Sequence, residues 1–161
     1  MAFKTTEWEL SSKVVTSQPI EYGPRYLIID NATYTETEKV SKYGIQYIEK
    51  TYRITVTDLT NKANFSLTYW PEGWNKEYTA RVDNERDIGT LNTLGEALAG
   101  MNIGIPNPQD IIGGVVLANL KESTPDPQTG KTYARCYKFE PVPGDIAALA
   151  NIDQYYIGAT E

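Results

Sequence analysis

The chain has 161 residues, a formal net charge of −6, 40% apolar and 22% charged residues, one cysteine and no histidine. That composition suits one globular domain with its own core, and it removes His-based acid–base chemistry, Ser–His triads and His–Cys zinc sites. Cys136 alone cannot form an internal disulfide, no run approaches the roughly 18 apolar residues of a membrane span, and MAFKTTEWEL lacks a signal-peptide core, so a cytoplasmic protein without membrane contact is expected.

Residues 1–23 carry weak signals: Trp8 and Leu10, a polar run, then Pro19 and Gly23. They read as a lead-in ahead of a domain over 24–142. RYLIIDNATYT, Arg25 to Thr35, is rich in β-branched and aromatic residues and predicts a strand, followed by a charged loop with Glu36, Glu38, Lys39 and Lys42. Gln46 to Leu59 alternates, placing Ile48, Tyr52, Ile54 and Val56 on one face and Tyr47, Glu49, Thr51, Arg53 and Thr55 on the other. Asn64 to Trp70 follows as a third strand, with Phe65, Leu67 and Tyr69 on one side and Trp70 in the polar set. Pro71 and Gly73 end it.

After a polar bridge at Arg81–Glu85 the period changes. Ile88, Leu91, Leu94, Leu98 and Met101 are spaced by three and four, with Gly100 as a stop, which predicts an amphipathic helix. A loop over 102–110 leads to two more strands: Val115 to Leu120, and Tyr133 to Phe139, joined through Pro125, Pro127 and Gly130. Pro143 to Leu149 reads as a short helix opening a polar, acidic tail over 143–161.

Three strands, a helix and two strands make the fold class mainly β, a five-stranded OB-like barrel with its helix between strands three and four (β-β-β-α-β-β). In that fold the ligand lies across strands two and three, under the loops joining strands one to two and four to five. Those loops are Glu36 to Ile45 and Ser123 to Lys131, and both hold lysines. Charge is distributed to match. Lys39 to Arg81 holds seven cations and four anions, so this window is +3 and the remainder −9. Binding follows the local field of a groove more than the net charge.

The last two strands carry Lys121, Lys131, Arg135 and Lys138 beside Tyr133 and Tyr137, against Glu122 and Asp126. Cations meet phosphates and ring faces stack on bases, so this mixture suits single-stranded nucleic acid, although solvated cations beside half-core tyrosines would look the same. Two registers are open for the final strand. With Ala134 and Cys136 inward, Tyr133, Arg135 and Tyr137 face the groove; a one-residue slip makes the rings core. Trp70 is equally open as a stacking platform or an edge plug.

IIGGVVLANLKESTPDPQTGKTYARCYKFEPV resembles the final hairpin of a phage family of small single-stranded DNA-binding proteins, in which a G-K-x-Y run precedes an alternating strand ending near F-x-P. The matching residues are Gly130, Lys131, Tyr133, Phe139 and Pro141, and the layout from Tyr26 to Trp70 is similar. The resemblance implies an OB-type fold that coats single-stranded DNA without strong sequence preference in phage replication or recombination, in the host cytoplasm. Its partners would be the DNA and phage or host replication and recombination proteins, with self-association compatible. Two departures stand out: IGATE is a faint version of the acidic tip of bacterial counterparts, and the chain is acidic overall.

The expected contacts are Lys39, Lys42, Tyr47, Arg53, Trp70, Lys121, Lys131, Tyr133, Arg135 and Tyr137. No cofactor, metal or enzymatic activity is expected: GxGxxG is absent, and Gly130-Lys131-Thr132 lacks the glycine a phosphate loop needs at Pro125. Cys136 in mid-strand without histidine reads as core. The rival reading is an acidic, phage-encoded inhibitor whose carboxylates mimic phosphates at a host protein's nucleic-acid site.

Overall fold

The longest strand, β1 (Gly23–Val40), runs through the centre of a computed structural model that describes residues 18–146. It forms a hairpin with β2 (Gln46–Asp58), in register from Leu27↔Asp58 to Val40↔Gln46, with Asp30 as an extra residue between Ile29 and Asn31. Such a bulge bends the strand and increases its twist. The hairpin turn is closed by Gly44 N–H donating to Ser41 O (2.9 Å) and Ser41 N–H donating to Ile45 O (2.8 Å). Gly44 sits at φ 82°, where a side chain is strained.

β3 (Asn64–Tyr69) pairs with β2, and β6 (Val115–Glu122) pairs with β1 over Gly23–Ile28. β7 (Ala134–Arg135) and β8 (Phe139–Glu140) both pair with β6, giving one antiparallel six-stranded sheet of order β3-β2-β1-β6-β7. β4 (Glu72–Trp74) and β5 (Arg81–Asp83) form a separate small hairpin. The mainly β class holds, but the closed barrel does not: among the described residues no ladder joins β3 to β7. The expected final strand is also broken. Its register with β6 slips by one residue between Arg135↔Lys121 and Phe139↔Ala118. The slip puts Ala134, Cys136 and Phe139 all in the core, which strict alternation forbids.

Side chains of β3 and of the helix over 85–99 hold this last segment instead, across an open seam between β3 and β7. Tyr69 Oη donates to Cys136 O (2.8 Å), Thr90 Oγ1 donates to Tyr137 O (3.0 Å), and Phe139 N–H donates to Thr93 Oγ1 (3.0 Å). These bonds satisfy backbone groups that the slip removes from the ladder. Burial pushes the Cys136 thiol up to about 11 and raises the Tyr69 hydroxyl well above its usual range.

The helix α1 (Glu85–Ala99) starts at Asn84, whose side chain accepts from Asp87 N–H, and stops at Gly100 (φ 79°). Leu91 and Leu94 enter the core with Leu27, Ile29, Tyr52, Ile54, Val56, Leu67 and Val116. Met101, expected on the same stripe, lies past the stop and is exposed. A Cβ on Gly95 would come 2.8 Å from Gly104 O, so the loop after α1 packs directly on the helix backbone. Tyr52 Oη holds that loop by donating to Pro106 O (2.8 Å). It ends in the single-turn α2 (Pro108–Ile111). Residues 144–146 are helical; the rest of the expected terminal helix, the remaining tail and residues 1–17 of the lead-in lie outside the described residues.

Candidate nucleic-acid interface

β1 is longer than its other neighbours, and this length creates the site. β6 leaves it after Ile28, and β3 accompanies β2 only over Tyr52–Thr57, so Thr35–Val40 and Gln46–Thr51 project as a two-stranded arm. The segment expected as a charged loop, Glu36 to Lys39, is strand. The β1 half of the arm is exposed on both faces, so its charged residues carry no burial penalty there. Cross-strand partners also match, with Glu36 opposite Lys50 and Lys39 Nζ 2.9 Å from Glu49.

The two faces differ. On the outer face, away from the core, Thr33, Thr35 and Thr37 of β1 lie beside Thr51 and Thr55 of β2, with Ser66 and Thr68 on β3. Arg53 is exposed in the middle of these hydroxyls, opposite Thr33 and Thr68. At its lower end Asp30 accepts from Asn64 Nδ2 (3.1 Å) and from Thr57 Oγ1. The inner face carries Tyr34, Glu36, Glu38, Ile48 and Lys50, above a cavity of about 570 Å³ walled by Tyr34, Tyr52, Ile88, Ile105, Pro106, Glu72 and Asp83. Lys50 Nζ is held by Glu72 at 3.0 Å, so carboxylates dominate there. On the outer face Arg53 and Lys39 stand against Glu49 and Asp30, so its charges balance, whereas the inner face is acidic and repels phosphate.

Rings and cations gather at the arm's tip. The β4–β5 hairpin lies against β2, and Trp74 meets Tyr47 edge-on with centroids 5.0 Å apart. The Arg81 guanidinium lies 4.6 Å from the Tyr47 ring and 5.0 Å from Trp74, and donates to Glu72 O (3.1 Å). The turns of both hairpins meet beyond this half-buried base. Tyr43 and Tyr78 stand 6.1 Å apart, 61% and 50% exposed, and Lys42 Nζ lies 5.2 Å and 5.8 Å from their centroids. Asn75 shapes the second turn, its side chain accepting from Thr79 N–H (2.9 Å) and Ala80 N–H (3.3 Å).

Of the expected contacts, the structure brings Lys39, Lys42 and Tyr47 together at this tip. Lys39 is paired with Glu49, which raises its pKa, Lys42 is exposed, and Tyr47 is half-buried. Arg53 stands in the outer face. Trp70 is half-buried at the end of β3, with its backbone N–H donating to Asp87 Oδ2 (2.9 Å). The remaining five are elsewhere. Because β6 is antiparallel to β1 and Leu120 faces Gly23, Lys121 and the loop bearing Lys131 begin where β1 begins, eighteen strand residues from the turn holding Lys42. That loop is wound on Asp126, which accepts from Gln128 N–H (2.7 Å), and Glu122 accepts from Thr132 Oγ1 (2.7 Å). Its carboxylates offset its lysines.

Tyr133 is exposed beside this loop, Arg135 is half-buried on β7, and Tyr137 lies at the seam under the Arg86 guanidinium (5.1 Å). The final strand therefore takes the register with Ala134 and Cys136 inward. The ten residues do not form a single trough.

Tyr43, Trp74, Tyr78 and Arg81 are the residues that sequence reasoning passed over. The trace of the last three is GWNKEYTAR, an Asn-centred turn signal between two short ring-bearing runs, and Tyr43 sits in the SKYGI turn. Among the described residues no three Cys, Asp or Glu converge as metal ligands, and no helix is long and apolar enough to cross a membrane. No family model, curated protein or solved structure matches this chain.

Proposed function

We propose that the chain binds single-stranded DNA along the outer face of β1, β2 and β3, with bases stacking at the tip and little dependence on sequence. The observation that carries this reading is the tip itself: two exposed tyrosines bracket Lys42 above a Tyr47–Trp74–Arg81 base. Ring faces accept any base, and cations beside them follow the phosphates, which is the chemistry of sequence-tolerant single-strand binding. The strand order supports an OB-type arrangement, since α1 falls between β3 and β6 and the sheet curls until β3 and β7 face each other across an open seam. Coating of single strands during phage replication or recombination is the role that fits such a surface.

Salt-titrated binding of labelled poly-dT tests the reading. If Lys42, Arg53 and Arg81 each meet a phosphate, log Kd should change with log salt at a slope of about 2, so affinity falls about 15–20-fold between roughly 50 and 200 mM salt. Tryptophan fluorescence should be quenched in parallel. No binding at the lowest salt refutes the proposal and favours the phosphate-mimic reading of the acidic surface.

A further inference from the structure

The β1 edge of the arm is open, and its chemistry selects a partner. Beyond Ile28, β1 exchanges further bonds with the β6 side only through Ile29, which donates to Gly114 O (2.8 Å) and accepts from Gly113 N–H (2.7 Å). From Asn31 to Val40 no described strand lies on that side. The Ser41–Ile45 bond fixes the alternation above it: Thr35, Thr37 and Lys39 exchange backbone bonds with β2. Tyr34, Glu36, Glu38 and Val40 therefore turn their N–H and C=O groups to the open edge. Asn107–Gln109 flank Tyr34, and the backbone groups of Glu36, Glu38 and Val40 form a row with no strand partner among the described residues.

Such a row is a template for another strand. A second copy of this edge fits poorly. Antiparallel self-pairing centred on Thr37 sets Glu36 against Glu38 of the other copy twice, and centring on Glu36 or Glu38 sets that residue against itself. Like charges directly opposite are unfavourable. Centring on Thr35 drives Asn107–Gln109 into the other strand. The inner face beside the edge holds Glu36, Glu38, Glu72 and Asp83 against the single cation Lys50, which Glu72 already binds.

We propose that this edge takes an extended, basic segment of a partner protein as an added antiparallel strand, its lysine or arginine side chains alternating over Glu36 and Glu38. The intervening side chains would lie on the outer face beside Thr35 and Thr37. This docking does not depend on the nucleic-acid reading, and its charged side chains meet the face of the arm opposite the one assigned to DNA.

Fluorescence polarisation with a labelled peptide of alternating lysine and threonine, about ten residues long to cover the edge, tests it. In an antiparallel pair the residues opposite Glu36 and Glu38 point their N–H groups at β1 and their side chains to the same face. Those are the lysines. N-methylation of the lysine nitrogens should weaken binding at least about tenfold, whereas N-methylation of the threonine nitrogens, at identical charge, should leave it within about twofold. The Glu36→Gln/Glu38→Gln variant should also lose at least about tenfold while keeping its circular dichroism and its poly-dT affinity. Equal binding of the two methylated peptides would reduce the effect to charge attraction and overturn the proposal. Absence of saturable binding, or equal binding of a glutamate–threonine peptide, overturns it too.

Discussion

Replacing Tyr43 with alanine separates binding from folding at the tip. Tyr43 is 61% exposed, and among the described residues its ring contacts are Tyr78 at 6.1 Å and the Lys42 ammonium at 5.2 Å. An exposed cation–π contact contributes about 0.5–1 kcal/mol at most, and exposed substitutions away from caps and cores usually stay within about 0.5 kcal/mol. Urea unfolding of Tyr43→Ala should therefore lie within about 1 kcal/mol of the parent. A base that loses its stacking partner costs roughly 1–3 kcal/mol, which raises Kd for poly-dT by about 5- to 150-fold. Polarisation titrations at low salt, on protein shown to be folded by circular dichroism, give the ratio directly. An affinity within twofold of the parent would refute the assignment of Tyr43 as a platform. A loss equal to that of Tyr133→Ala, at the far end of β1, would refute the claim that stacking is centred on the tip.

Two further predictions concern the seam that replaces barrel closure. Tyr69→Phe leaves Cys136 O without its buried donor and should cost about 1–2 kcal/mol in urea unfolding, with the m-value unchanged; a cost near zero would mean that the bond does not hold β3 to the β7–β8 segment. The Cys136 thiol, held at about 11 by burial, is raised above its unfolded value. Its contribution to stability is then fully present below the ordinary thiol range and declines as pH rises from about 8.5 towards 11, because the unfolded chain loses the proton first. Alkylation at pH 8 should be at least about a hundredfold slower in the native protein than in urea, and comparable rates would place the thiol outside the core.

Much of the sheet could be read from the chain because strand alternation is a local property. Tyr52, Ile54 and Val56 are buried and Arg53 is exposed as the pattern of β2 requires, and Gly100 ends α1 where it was expected. Ile48 obeyed the same pattern yet is exposed, since the arm carries it beyond the core. Glu36–Lys39 was read as loop because charge density disfavours burial, and a strand with two wet faces has nothing to bury. The β4–β5 strands are three residues each, too short for any period to register, so Trp74 and Arg81 reached the site unseen. The grouping of cations failed for a different reason. Which loops lie near each other depends on β6 running antiparallel to β1, and that pairing is a long-range fact that no window of sequence contains.

Amide and indole chemical-shift mapping of the labelled protein against a short oligo-dT tests most directly whether the outer face of β1, β2 and β3 meets single-stranded DNA. The predicted result is a continuous set of shifts over Tyr43, Tyr47, Arg53, Trp74 and Tyr78, with Glu38 and the 123–133 loop unmoved. Shifts confined to Lys121, Lys131 and Tyr133, or none at saturating oligonucleotide, would contradict it.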